Sequence, residues 1–221
     1  VTQQYDQGLR TYLLSVFNNM SIALFISAFV SAGVGLNAEL SHAIWSTGLK
    51  WIVIFAPLVA VFAISVVLAQ EGLAKGVYHL CLHGFAALMG LSFATIFAVF
   101  QMGSIVSAFM GAAILFGVMS GYGYFTKQSL DSLGKWMFVG LIAIVIASII
   151  NIFVGSSLFQ MVISALAIII FLGLTAYDTQ QIREMVSVES NPAIEVMGAL
   201  TLYLDFINIF LNLLQLTGDR E

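Results

Sequence analysis

The chain has 221 residues, of which 61% are hydrophobic and only 8% charged, and its mean hydropathy is +1.04. Soluble domains use roughly 45–50% apolar and 25% charged residues, so this composition excludes a water-soluble globule and marks an integral membrane protein. The net charge of -4 is spread thinly, without the basic stripe that a phosphate backbone requires, and nucleic acid is excluded as a partner. A single cysteine, Cys81, excludes an internal disulfide and a cysteine-rich metal cluster.

Spanning hydrocarbon takes about 20 apolar residues per helix, so the length accommodates six or seven spans in a single domain, 1–221. The opening stretch, Val1 to Arg10, is polar and lacks the pattern of a secretory signal, so the first helix is expected to direct insertion itself. Apolar runs bounded by glycine, charged or turn residues then predict spans at 12–36, 49–69, 76–98, 103–125, 136–155, 157–181 and 196–216. Lipid leaves unpaired sheet edges unsatisfied, so the many Val, Ile and Phe residues do not argue for strands. The expected fold is all-α, a polytopic seven-transmembrane-helix bundle.

Along these spans the polar residues are few and each has a reading. Ser15, Asn18 and Asn19 in the first span, and Asn151 with Gln160 across the fifth and sixth, suit hydrogen bonds between helices. Pro57 removes a backbone hydrogen bond in the second span. His79 and His83 lie four apart on the third; Cys81 between them points elsewhere and no glutamate completes a metalloprotease motif, so packing is expected, with a secondary proton-responsive role as the alternative. Gly121-Tyr122-Gly123-Tyr124 falls at a helix end, where its tyrosines suit an interfacial belt. The Val154-Gly155-Ser156-Ser157 turn is all that separates the fifth and sixth runs. The acidic stretch Glu184 to Glu195 reads as a solvated connector, or as a concentrator of cations. Lys and Arg near the span ends (Arg10, Lys75, Lys127, Lys135 and Arg183 on one side, Lys50 and Arg220 on the other) favour a cytoplasmic N-terminus. An odd number of spans then puts the C-terminus outside, unless the last segment is re-entrant.

The last run carries the pattern that matters most. Thr201, Asp205, Asn208, Asn212 and Gln215 recur at steps of four and three, which places all five on one helical face. Such a stripe must face the bundle interior or a wet cavity, and an intramembrane carboxylate is a functional-site hypothesis by default. Asp178, near the end of the preceding run, is the natural partner of Asp205. Two carboxylates brought together in low dielectric cannot both ionise cheaply, so the pair can share a proton.

Three stretches carry a family resemblance. Phe116-Gly117-Val118-Met119-Ser120-Gly121-Tyr122-Gly123-Tyr124-Phe125-Thr126-Lys127, Ala176-Tyr177-Asp178-Thr179-Gln180-Gln181-Ile182 and Leu202-Tyr203-Leu204-Asp205-Phe206-Ile207-Asn208-Ile209-Phe210-Leu211 closely resemble the Bax inhibitor-1 (transmembrane Bax inhibitor motif) family, nearest its bacterial branch. Tyr5-Asp6-Gln7-Gly8-Leu9-Arg10 and Gly90-Leu91-Ser92 extend the resemblance over essentially the whole chain. It implies a bundle whose last helix is central, a location in the bacterial inner membrane, and a pH-sensitive calcium leak. Asp178 and Asp205 match its proton-sharing pair. Calcium, a hard cation, suits the oxygens of Asp205, Asn208 and Asn212; it is expected as the transported ion, with no cofactor and no firm metal site. The chain departs from relatives that place an arginine near the inner end of the second helix, since Gln70 stands there and Lys75 could substitute only if its helix end bent inward.

Two other function classes remain. Bacterial relatives look like modulators of a membrane quality-control protease, which would make this a non-conducting regulator in the stress response that binds through Val1 to Arg10. An intramembrane aspartyl protease would also carry tyrosine-aspartate and a second aspartate. Here Tyr203 replaces the glycine expected two positions before Asp205, and no proline-alanine-leucine triplet follows. The expected activity is therefore not enzymatic.

Overall fold

A computed structural model describes residues 2–70, 72–185 and 191–220. Part of the acidic connector, 186–190, and the side chains of Tyr5, Asp6 and Gln7 lie outside the described residues. In chain order the helices are α1 (Thr2–Gly35), α2 (Ala38–Trp45), α3 (Leu49–Leu68), α4 (Lys75–Phe93), α5 (Ile96–Val99), α6 (Met102–Phe125), α7 (Asp131–Val154), α8 (Ser157–Met185) and α9 (Pro192–Thr217). Seven stretches are long and apolar enough to cross a membrane: Gly8–Gly35, Leu49–Leu68, Lys75–Val99, Met102–Phe125, Asp131–Val154, Ser157–Met185 and Pro192–Thr217. Each coincides with an expected span to within about five residues at either end. α9 is continuous over 26 residues, about 39 Å at 1.5 Å per residue, which is long enough to cross the hydrocarbon.

The described residues form two compact units. One comprises the chain up to Phe100 together with α9 as far as Tyr203, and the other comprises Gln101–Met185 with Leu204–Arg220. Among the seven spans α9 is the most enclosed, with 67% of its apolar window buried against 39% for α8 and 6% for α7. α7 is thus largely a lipid-facing helix, while α9 is a core helix that can carry polar groups.

In the first unit α1 packs on α4, and α4 on α3. Gly90 permits the first approach, because a Cβ there would lie 2.6 Å from the Ser27 carbonyl oxygen. Ser27 uses the proximity: its hydroxyl donates to the Ala86 carbonyl at 2.7 Å and meets the Tyr203 hydroxyl at 2.7 Å. Pro57 lies inside α3 and cannot donate to the carbonyl four residues back, that of Val53. Ser92 of α4 donates its hydroxyl to that same carbonyl. The backbone acceptor freed by the proline is therefore satisfied across the helix pair, as a hydrocarbon environment requires.

In the second unit α8 packs between α6 and α7. Gly123 lets α6 come against α8 so closely that a Cβ there would collide with the Ala176 carbonyl oxygen. The narrow connection expected between the fifth and sixth runs does separate two helices. Gly155 adopts φ 66° and ends α7, the left-handed closure that glycine adopts without a Cβ penalty. Asn151 then bridges the turn, donating to Gln160 Oε1 at 3.0 Å and accepting from the Ser156 amide at 3.2 Å.

The Pro57–Ser92 arrangement predicts a specific coupling. Ser92→Ala should destabilise the protein by about 1–3 kcal/mol by orphaning the Val53 carbonyl. In a Pro57→Ala background, where the helix supplies its own donor, the same change should cost much less. Thermal unfolding of the four proteins in detergent measures the cycle.

Candidate functional site

Asp205 lies in the middle of α9 with 4% of its surface exposed. Asp178, on α8, is half-buried. Their carboxyl groups are within hydrogen-bond reach of one another, so the structure brings together the two aspartates singled out in the sequence. Ionised carboxylates only accept, and a hydrogen bond between the two therefore needs a proton on one of them. Oδ2 of Asp205 is buried and finds no donor among the described residues. Thr175, one helical turn before Asp178, brings its hydroxyl within reach of Asp205 but spends its proton on the Phe171 carbonyl at 2.7 Å. The surroundings of Asp205 are thus richer in acceptors than in donors.

Nearby cations are engaged elsewhere. Arg183, five residues beyond Asp178, donates its guanidinium to the carbonyls of Tyr124 and Thr126 and pairs with Glu184 at 3.5 Å. Lys75 was the alternative to the missing arginine, but its ammonium pairs with Glu195 at 3.6 Å. Gln70 is exposed and offers its backbone carbonyl to the Tyr78 hydroxyl at 2.7 Å.

The residues after Asp178 fix its helix. Thr179 donates to Ser120 Oγ at 3.1 Å, and Gln181 donates to Asp131 at 3.1 Å. Gln180, fully buried, accepts from the Leu130 amide at 2.7 Å and donates to the Gln128 carbonyl at 2.9 Å. With Arg183 on Tyr124 and Thr126, these bonds clamp the end of α8 to the α6–α7 connection. Two of the three motifs noted in the sequence therefore meet, and Gly123 is what allows it. The apolar wall beside Asp205 is aromatic: Phe206 packs edge-on against Phe109 and Phe116 with centroids 5.2 and 5.7 Å apart.

The rest of the stripe lies half-buried on one face of α9. Asn208 and Asn212 turn their amide groups back to the carbonyls of Leu204 and Asn208, both at 2.8 Å. Thr201 likewise donates to the Met197 carbonyl at 3.1 Å, and Gln215 is half-buried one turn beyond Asn212. These side chains serve their own helix rather than a neighbouring one. His79 and His83 lie with ring centroids 6.3 Å apart and planes tilted by 37°, and His83 Nε2 is buried without a partner among the described residues. No group of three or more His, Cys, Asp or Glu among the described residues is placed to hold a metal ion.

Glu195 is the residue that sequence reasoning misplaced. Far from ending a solvated connector, it lies in the first turn of α9 with 8% of its surface exposed. Asn191 accepts from the Ala193 amide at 2.9 Å, and Pro192 takes the first helical position, which starts α9 earlier than the apolar run does. Ser15 and Asn19 both donate to Glu195 Oε1, the latter at 2.7 Å. The signal available in sequence was Asn191-Pro192 as a helix start.

Comparison with known proteins agrees with this architecture. The family described as "Inhibitor of apoptosis-promoting Bax1" matches residues 9–221. The inner membrane protein YbhL of Escherichia coli (strain K12) is 36% identical, with 97% of this chain and 94% of that protein covered. A protein of Rickettsia prowazekii (strain Madrid E) is 35% identical over 98% and 93% of the two chains, and one of Borreliella burgdorferi is 37% identical over 100% and 98%. The chain is an integral membrane protein of all-α fold and belongs to the Bax inhibitor family.

Proposed function

We propose that the protein is a pH-sensitive cation leak, preferentially for calcium, gated by a proton shared between Asp178 and Asp205. The observation that carries this reading is the buried Asp205 carboxyl, which faces a second carboxyl and has an oxygen without a donor. A change of one proton there changes the charge of the span's interior by a full unit, and in low dielectric that is the largest local perturbation available. Calcium is the chemical match because it takes oxygen ligands, and conduction asks for few of them so that the ion can leave. Asn208 and Asn212, whose side-chain oxygens could serve as such ligands, continue the stripe from Asp205 on the same helical face, and Gln215 extends it. The reading is transport rather than catalysis. The name of the Escherichia coli relative supports an inner-membrane location, and the distribution of Lys and Arg supports a cytoplasmic N-terminus.

The test is calcium flux into dye-loaded liposomes over a pH series, with the wild type beside Asp178→Asn and Asp205→Asn. Asparagine keeps the shape and removes the titration, so both variants should flatten or displace the pH profile. Unchanged flux with unchanged pH dependence in either variant would sink the gating role. Folded, inserted protein with no flux above empty liposomes would shift the reading to the non-conducting regulator.

A further inference from the structure

The polar cluster around Glu195 has a division of labour that its neighbours do not require for packing alone. Oε1 is seated by two donors, the half-buried Ser15 Oγ and the buried Asn19 Nδ2. Oε2 has Lys75 Nζ at 3.6 Å, beyond ordinary hydrogen-bond distance, and the lysine side chain is 59% exposed while the glutamate side chain is 11% exposed. Tyr12, one turn before Ser15 on α1, holds a buried hydroxyl with no partner. Three helices therefore converge on one carboxylate: α1 midway along its length through Ser15 and Asn19, α4 at its first residue through Lys75, and α9 in its first turn through Glu195 itself. Helix N-termini favour a negative charge, which adds to the seat.

We propose that this cluster is a releasable latch on the start of the last helix. Ser15 and Asn19 are its fixed part, Lys75 is the part that solution ions can compete away, and the Tyr12 hydroxyl is a donor in reserve for Oε2 once Lys75 leaves. The latch fastens the first turn of α9 to α1 and α4, about 15 Å along the same helix from Asp205 at 1.5 Å per residue. Ionic strength is its natural control. An exposed pair at this separation is weakened as the screening length falls from about 10 Å at 0.1 M salt to about 3 Å at 1 M. The proposal does not rest on the leak reading, because the latch can be measured in a protein that conducts nothing.

The measurement is the maleimide labelling rate of a buried reporter, Val16→Cys, in the full chain with Cys81→Ser, reconstituted in liposomes. Val16 is fully buried on α1 beside this cluster, so labelling reads separation of these helices. Lys75→Met should accelerate labelling by up to about fivefold, the scale of one solvent-screened ion pair. Lys75→Arg should hold it near the parent rate. Rising salt should accelerate the parent and leave Lys75→Met flat. Tyr12→Phe alone should change nothing, since its hydroxyl has no partner in the latched state, whereas Tyr12→Phe added to Lys75→Met should accelerate labelling further. An unchanged rate in Lys75→Met, or the same salt response with and without Lys75, would overturn the latch. A double variant no faster than Lys75→Met would remove Tyr12 from it.

Discussion

Hydrocarbon supplies no hydrogen-bond partners, so every polar group within the spans has to be met from inside the protein or be carried at a cost of several kcal/mol. Much of this structure follows from that constraint. The Val53 carbonyl, freed by Pro57, is met by Ser92. Ser27 is met by Ala86 and Tyr203, Asn151 by Gln160, and Gln180 by the backbone of Gln128 and Leu130. Even the asparagines of the α9 stripe turn their donors onto their own helix. Against this background four buried side-chain atoms go unmet among the described residues, on Tyr12, Trp45, His83 and Asp205, and only the last belongs to a carboxyl group that faces a second carboxyl.

Much of the fold was legible because membrane spans are written in the strongest code a sequence has, runs of about 20 apolar residues between polar breaks. The aspartate pair was legible for the same reason: a carboxylate is conspicuous where charges are expensive, and Asp178 and Asp205 are the acidic residues inside the apolar runs. What escaped was the fate of polar residues at the edges of those runs. Glu195 lies one turn into a helix whose apolar run begins only afterwards, so hydropathy assigned it to the connector. Its burial depends on Ser15 and Asn19, about 180 residues away in sequence, and no local pattern announces such a contact. The destinations of Arg183 and Lys75 were hidden likewise, because a long flexible cation can reach several acceptors and only tertiary geometry selects among them.

The motifs that carried the family resemblance acquire physical reasons from the same geometry. Gly123 is small because the α8 backbone passes against it, and Gly90 because the α1 backbone does. Thr179, Gln180, Gln181 and Arg183 follow Asp178 because a carboxylate meant to meet another must be held on a helix that cannot rotate or slide. Their partners run from Ser120 to Asp131, along the end of α6 and its connection to α7. The cost of mispositioning is steep. A displacement of an ångström or two would separate the carboxyls beyond hydrogen-bond range and convert one shared proton into two independent titrations.

α9 therefore carries the same functional group in two opposite settings ten residues apart. Glu195 has two donors and a cation on its carboxyl group, contacts through which α1 and α4 are fastened to the first turn of α9. Asp205 has a carboxyl neighbour, a threonine whose proton is already committed, and an oxygen without a donor. Its charge is the variable one. Exchanging the surroundings would exchange the roles, since nothing intrinsic to a carboxylate distinguishes an anchor from a proton carrier. Under the proposed leak, a helix built this way is fastened at its first turn while its middle changes charge, the separation that a gated path through a membrane would need.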